Sequence, residues 1–364
     1  MLGPSTLGSN QCWASKTMAD PLASTERLLS LIDGMENQPV LMLVDLVADR
    51  FITGTPKRIS REAPVLILSH ESEILTPGGG ANAAANVRSL GGQPLPVGVV
   101  GDDANGRDLL RELEARDIPT AGILIRPGYR TPTKTRILGG GRHSIKQQIV
   151  RFDIEDHLEL AELELAELGS RIEGYARGAR VAVLSDYGYG TVDPRLTEAV
   201  RGALAPQGLI LCDSRYRLGA YGGMDAATPN EEEAEALLGT AFEEDRRQVE
   251  ACGRRLYEQL ACRFLLITRG SRGMMLVEDG RIAHIPVHGT DQVADVTGAG
   301  DTVIGTFALA LAAGATPLEA ALLADYAGGL VVLKMGTATL EAAELRSAVA
   351  VQPGLGKEIL WGKW

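Results

Sequence analysis

The chain has 364 residues, 45% of them hydrophobic, enough to bury one large core or two smaller ones. A formal net charge of −11 argues against non-specific nucleic-acid binding, and no apolar run is long enough to span a membrane. Any phosphate ligand must therefore be held by local basic side chains and backbone N–H groups.

Met1 to Asp20 is rich in Ser, Gly, Thr and Pro without periodicity and reads as a loose tail. It lacks the basic start and apolar core of a secretion signal. Leu28, Leu29, Leu31 and Ile32 follow Ser24 and Thr25, which predicts a short amphipathic helix. From Pro39 onward, short apolar runs alternate with helical patterns. Strands are expected at Val40–Val44, Leu95–Val100, Val181–Leu184, Leu209–Cys212, Phe264–Thr268 and Met274–Val277. Helices are expected at Ala83–Leu90, Gly106–Arg116, Glu159–Arg177, Pro194–Leu204, Glu231–Leu238, Arg246–Leu260, Thr302–Ala313 and Leu322–Leu333. Such alternation implies an α/β fold, a mainly parallel sheet covered on both faces, with ligands at the carboxyl ends of the strands. Ile52–Ser69 and Ile123–Phe152 break the pattern. Rich in β-branched and turn residues, they predict a small β-lid standing off the main sheet. The body is expected over 36–350, after an N-terminal tail and helix (1–35) and before a C-terminal tail (351–364). The four cysteines, Cys12, Cys212, Cys252 and Cys262, have no metal-ligand spacing, so reduced thiols and a cytoplasmic location are expected.

The most informative stretch is Asp295-Val-Thr-Gly-Ala-Gly-Asp301, which leads into an apolar run. Gly298, Ala299 and Gly300 allow a tight turn and close approach of another molecule. A helix opening there presents unpaired N–H groups and the positive end of its dipole, an anion site. Asp301 sits inside it. One reading is a helix cap. The other is phosphoryl transfer to a hydroxyl, with the turn stabilising charge and Asp301 as general base. A second segment, Thr76-Pro-Gly-Gly-Gly-Ala-Asn-Ala-Ala-Ala-Asn86, favours the chemical reading. Its small residues let a helix lie close against a ligand. Asn82 and Asn86, four apart, share a helix face and offer both donors and acceptors to a polyol.

These two segments resemble the two signatures of the ribokinase (PfkB) sugar kinases, and the resemblance runs from about Val40 to Ala350. It implies the ribokinase-like three-layer α/β/α fold with a β-lid that often forms a dimer contact. A narrower likeness, to the D-glycero-β-D-manno-heptose 7-phosphate kinases, is carried by several stretches. They are Asp45, Asp49-Arg50-Phe51, Arg58 to Pro64, Thr133-Lys134-Thr135-Arg136, Gln147 to Asp153, Leu184 to Tyr187 and Thr228-Pro229-Asn230.

That resemblance implies ATP and magnesium as cofactors and a phosphorylated sugar as acceptor. On the acceptor side it implies Asp45, Asp49, Gly78, Gly79, Asn82, Asn86, Arg136, Gln148 and Asp186. For ATP it implies Asn230, Thr268, Gly270, Thr297, Gly298, Gly300, Ala327 and Gly328. Asn230 and Glu233 are implied to help place magnesium, although Asn230 heading a run of acids is also ordinary helix capping. Glu231 and Glu232 are expected to be solvated. Arg269 and Arg272 read equally as a solvated hairpin turn. Arg136, Lys134 and Arg151 form a basic group on the lid, suited to a remote phosphate. Three departures from the heptose-kinase pattern stand out. Val44-Asp45 replaces Gly-Asp, Tyr189 replaces a lysine, and Asp213-Ser214-Arg215 replaces Asp-Pro-Lys. The chain is too short for the adenylyltransferase domain of bifunctional members, so a separate protein is expected to perform that step. A PfkB kinase for another sugar, and a silent sugar-binding regulator, are the alternatives; the intact Asp301 turn weighs against the second.

Overall fold

The computed structural model describes residues 24–141, 146–175, 178–242, 245–289, 293–352 and 358–363. The expected loose tail, Met1 to Asp20, lies outside the described residues. In chain order the elements are α1 (Thr25–Gly34), β1 (Pro39–Val44), β2 (Leu46–Ile59), β3 (Leu66–Gly79), α2 (Gly80–Ser89), β4 (Gln93–Gly101), α3 (Ala104–Glu114), β5 (Ile123–Arg126), β6 (Thr133–Gly139), β7 (Gln147–Ile154), α4 (Glu162–Tyr175) and β8 (Ala179–Asp186). They continue through α5 (Thr197–Ala203), β9 (Leu204–Ser214), β10 (Ala226–Ala227), α6 (Glu231–Leu238), α7 (Arg246–Leu260), β11 (Phe264–Thr268), β12 (Met274–Glu278), β13 (Arg281–Ile285), α8 (Ala299–Ala312), α9 (Pro317–Val331), α10 (Ala342–Val351) and β14 (Leu360–Lys363).

The main sheet runs β14-β13-β12-β11-β10-β9-β8-β1-β4-β5. It is parallel from β5 to β11 and antiparallel beyond. Alternation along β1 explains the three layers. Val40, Met42 and Val44 belong to a core with residues of α1, α2, α3, α8, α9 and α10, whereas Leu41 and Leu43 belong to one with residues of α4, α5, α6 and α7. Helix α1 is part of the body: Ser24 caps it, and Leu28, Leu31, Ile32 and Met35 are buried in the first core.

A second sheet, β3-β2-β6-β7, forms the lid. Its limits differ from the sequence expectation. Ile123–Arg126 pairs with β4 in the main sheet, so the later half of the lid begins at Thr133. Its earlier half is longer than 52–69: β2 begins at Leu46, and β3 runs to Gly79. The Gly-rich segment is thus the end of a lid strand that passes straight into α2. The C-terminal segment also adds a strand, β14, to the main sheet. No helix among the described residues is long and apolar enough to cross a membrane.

Candidate active site

Four elements converge at one end of the sheet: the corner between β1 and β2, the β3–α2 junction, the loop after β8, and the start of α8. Gly298 takes φ +78° ahead of α8, and a Cβ there would stand 2.5 Å from Asn82 Nδ2, so only glycine fits. The first backward bonds near the helix start are Ala299 N to Val296 O and Thr302 N to Gly298 O, so the N–H groups of Gly300 and Asp301 lie ahead of the ladder. Gly300 is exposed, with open space over its α-carbon. This gives an accessible, positively polarised turn beside a carboxylate.

Asp301 is 2% exposed. Its Oδ2 accepts from Asn82 Nδ2 at 2.9 Å, and its Oδ1 from the Tyr187 hydroxyl at 2.6 Å. Burial pushes its carboxyl up to about 6; the Tyr187 and Asn82 donors and Lys134 oppose that rise, while Asp49 adds to it. A carboxylate poised there is ionised at neutral pH and basic enough to accept a proton. Asn82 therefore serves the acid directly. Asn86, expected to face a polyol beside it, is instead fully buried behind it. Asn86 Nδ2 donates to Asn82 O at 3.0 Å, and its Oδ1 accepts from Thr302 Oγ1 at 3.1 Å. That locks α2 to α8.

Asp45 and Asp186, expected to contact substrate, are taken up by the protein. Asp45 has no exposure and accepts Tyr187 N, Tyr189 N and Thr191 N, each at 2.9 Å. Burial lifts its carboxyl to about 6 against those three bonds. Asp186 accepts from Gly188 N, Ser214 Oγ, Arg217 and Tyr221 Oη. Its pKa lies below the ordinary value, because those donors outweigh burial. Both carboxylates build the loop that carries Tyr187. Asp49 lies on the covered side of the lid, where Gly78 packs so closely that a Cβ would fall 2.5 Å from Asp49 Oδ2. Gly79 adopts φ +52° beside the Tyr187 ring.

The basic group of the lid divides in two. Arg136 Nη1 donates to Asp49 Oδ1 at 2.6 Å, with its guanidinium over the Phe51 ring, and Arg151 pairs with Asp153. Lys134 is 9% exposed, its ammonium 5.2 Å from the centre of the Tyr187 ring. Among the described residues it has neither a hydrogen-bond acceptor nor an ion pair. Burial pulls its pKa down, Asp49 pulls it back, and Arg215 and Arg151 push it further down. Gln148 does not join this group: it is exposed on β7 opposite Leu138, beyond the Arg136–Arg151 rung.

On the side that the resemblance assigns to ATP, Asn230 and Thr268 are neighbours through a parallel bridge, and Thr268 N donates to Pro229 O at 3.0 Å. Gly270 adopts φ +55° with open space above it. Asn230 and Glu233 form a reciprocal capping box, each accepting the other's backbone N–H at 2.9 Å. Glu231, expected to be solvated, is held by Arg269 at 2.6 Å and also by Arg272. Asp213 is a further, partly exposed acid, which the sequence reading met only within the Asp213-Ser214-Arg215 departure and not as a site residue. Its pKa is raised well above the ordinary value by burial, then by the fields of Glu233 and Asp301. Thr297 N is held by Asp295 Oδ1 at 2.9 Å, which shapes the turn. Ala327, implied as an ATP contact, is fully buried in the first core; Gly328 beside it is partly exposed, against Val303. The lid closes over this end through Thr76 Oγ1 and Thr337 Oγ1, 2.8 Å apart.

The comparisons with known proteins bear on the family and the fold. The model of the pfkB family carbohydrate kinases matches residues 41–343. The chain is 40% identical over 316 residues to the bifunctional protein HldE of Mesorhizobium japonicum, covering 85% of this chain and 62% of that one. It is 39% identical to the HldE of Azotobacter vinelandii, covering 89% and 66%. The chain thus spans just under two thirds of the length of these curated relatives. Among solved structures, the phosphofructokinase-2 of Escherichia coli in complex with potassium superposes with a TM-score of 0.69 at 19% identity, over 86% of this chain and 99% of that one. The ribokinase of Arabidopsis thaliana complexed with ribose and ATP gives 0.66 at 19% identity, over the same shares. The fold is thus ribokinase-like, and the chain belongs to the pfkB family of carbohydrate kinases.

Proposed function

We propose that this carbohydrate kinase transfers the γ-phosphoryl group of ATP to the anomeric hydroxyl of D-glycero-β-D-manno-heptose 7-phosphate. The product would be the 1,7-bisphosphate used in ADP-heptose synthesis for the lipopolysaccharide core. The observation that carries the reading is the doubly held Asp301 carboxylate beside the open Gly298–Gly300 turn. Asp301 takes the hydroxyl proton; the sugar oxygen bonds to the γ-phosphorus; the bond to the β-phosphate oxygen breaks and ADP leaves. N–H groups at the turn and the positive end of α8 stabilise the charge on the transferring group.

The heptose assignment rests on the HldE relatives and on the lid stretches that resemble the heptose kinases. An unpaired ammonium at Lys134 fits an acceptor that carries its own phosphate. Tyr189 and Arg215 replace two lysines of that pattern, and they favour another sugar phosphate as the second reading. Magnesium suits carboxylate and water ligands, and among the described residues no three acidic, His or Cys side chains form a cage for it. The metal would come on ATP, with Asn230 and Glu233 holding it through water, and would neutralise phosphate charge. The raised pKa values of Glu233 and Asp213 fit a place where a cation is welcome. Exposed Ile59, Leu66, Ile74, Val150 and Phe152 on the lid support a homodimer formed through it. Cys212, Cys252 and Cys262 form no disulfide, as suits a cytoplasmic enzyme.

The test is Asp301→Asn with a panel of sugar phosphates. Turnover on the heptose phosphate should fall about 10²–10⁴-fold with ATP and sugar binding kept. Near-normal turnover in the variant would remove Asp301 as base, and wild-type preference for another sugar phosphate would overturn the acceptor.

A further inference from the structure

We infer that Tyr187 is a positioning residue for the base: its hydroxyl fixes the Asp301 carboxylate, and two buried aspartates fix the loop that carries it. The inference rests on the reading of Asp301 as general base.

The loop from Tyr187 to Thr191 is held from both sides. Asp45, at the corner where the chain leaves the main sheet for the lid, takes three of its N–H groups. Asp186, at the end of β8, takes Gly188 N and is itself anchored by Arg217, Ser214 and Tyr221. The Tyr187 ring is wedged against Gly79, where a Cβ would lie 3.3 Å from two ring carbons, and Lys134 stands over it. Ring and backbone are therefore fixed before the hydroxyl reaches Asp301.

That hydroxyl bonds one carboxylate oxygen and the Asn82 amide bonds the other. Two donors on opposite oxygens fix the carboxylate plane, and each oxygen keeps a lone pair for the acceptor hydroxyl. Burial, then the Asp301 charge, raises the Tyr187 pKa well above its usual value, so the phenol stays protonated and remains a donor. It is no second base. Its bond favours the charged form of Asp301, as does the bond from Asn82. The other charges facing Asp301 are Asp49 and Lys134 on the lid and Asp213 on β9. Tyr187→Phe leaves all of these in place. The freed carboxylate should then protonate at higher pH and lose its fixed plane.

The experiment is kcat and kcat/KM from pH 5 to 9 for wild type, Tyr187→Phe and Asp301→Asn, with ATP and a sugar phosphate the wild type turns over. Tyr187→Phe should lose about tenfold in kcat at neutral pH, the size of one charge-assisted hydrogen bond. The acid limb of its kcat/KM profile should move to higher pH, with KM for ATP unchanged. An unmoved acid limb with wild-type kcat overturns the inference, as does a defect confined to the sugar KM, which would make Tyr187 a substrate contact. Failure of the base reading shows separately, as turnover retained by Asp301→Asn. Should Tyr187→Phe not fold, Asp45→Asn serves instead. It places an amide donor against the loop N–H groups while leaving the phenol in the chain, and it should lower kcat with the same movement of the acid limb. A wild-type profile in Asp45→Asn counts against the inference equally.

Discussion

Lys134 offers a prediction in which stability and function move in opposite directions. The Lys134 side chain is largely buried, the residue 9% exposed, and among the described residues its ammonium has no hydrogen-bonded or ion-paired anion; it stands over the Tyr187 ring, with Asp49 and Asp301 favouring its charge and Arg215 and Arg151 opposing it. Burial is the leading cause of its lowered pKa, so the charge is a cost to the folded state. An unpartnered polar group in a protein interior costs roughly 1–3 kcal/mol. Lys134→Met keeps the length and apolar bulk of the stem and removes that cost. The apo variant should therefore melt higher, by about 2–4 °C per kcal/mol recovered. If the ammonium waits for the acceptor's phosphate, the same change removes a charge-assisted hydrogen bond worth about 1.5–3 kcal/mol. That is a rise of roughly 10- to 150-fold in the sugar phosphate KM. ATP, which the proposed reading puts beyond the Gly298 turn, should be little affected. The assay is a thermal scan of both proteins with and without the sugar phosphate, beside initial rates with each substrate varied. A variant that melts lower, with an unchanged sugar KM, would refute the reasoning, because Lys134 would then be satisfied within the protein and idle toward the ligand.

Arg136→Ala should lower stability and sugar affinity together. It strands the buried Asp49 carboxylate, so it should lose about 3–5 kcal/mol of stability by denaturant titration as well as weakening the sugar phosphate at least about tenfold. Asp325 on α9 has its carboxyl pushed up to about 7 by burial, with the His288 N–H as its opposing bond. Its folded pKa lies above the unfolded one, so the folded state binds more protons between about pH 4 and 7 and stability falls as pH rises through that window. Asp325→Asn should raise the thermal midpoint at pH 8 and leave it unchanged near pH 4; a gain independent of pH would count against this account. A chain beginning at Ala19 should keep its turnover. One beginning at Val40 loses Leu28, Leu31, Ile32 and Met35 from the core, each worth about 1.5–3 kcal/mol as an upper estimate, and should melt lower.

The fold was legible because its signals are local. Alternating apolar runs, the Gly-rich turn before an apolar helix and the small-residue segment after Thr76 are patterns within a dozen residues. The lid boundary was not legible for a similar reason. β5 has four residues at a sheet edge, with Ile125 half exposed, so nothing in Ile123–Arg126 tells a main-sheet strand from a lid strand. The roles of the polar residues depend on partners far along the chain. Asn82 meets Asp301 across 219 positions, Tyr187 meets it across 114, and Asp45 meets the Tyr187 loop across 142 to 146. A resemblance could name Asn82, Asp301 and Asp45 as belonging to one site, but it did not name Tyr187 among them. It could not say that Asn86 stands behind Asn82, or that Arg136 is already paired with Asp49.

The aspartates of the cleft show why residue type alone does not identify the base. Asp45, Asp186, Asp213 and Asp301 all stand at strand ends or the helix start, and all are acids. Their surroundings separate them. Asp186 has an arginine and several other donors, so it is held ionised and fully occupied. Asp45 spends its oxygens on three backbone N–H groups within the protein. Asp213 has one hydroxyl donor, Thr228, and three carboxylates pressing on it, Glu233, Asp301 and Asp186, which suits a group that faces a cation. Asp301 alone sits at an open helix start with one neutral donor on each oxygen, raised to about 6 and still ionised at neutral pH. A general base needs a proton affinity near the working pH, a fixed plane and a free lone pair toward the substrate. Of the four, only Asp301 combines these with an exposed glycine one residue away whose N–H lies ahead of the helix ladder, so the proposed transfer chemistry points to it on its surroundings, independently of the motif that first drew attention to it.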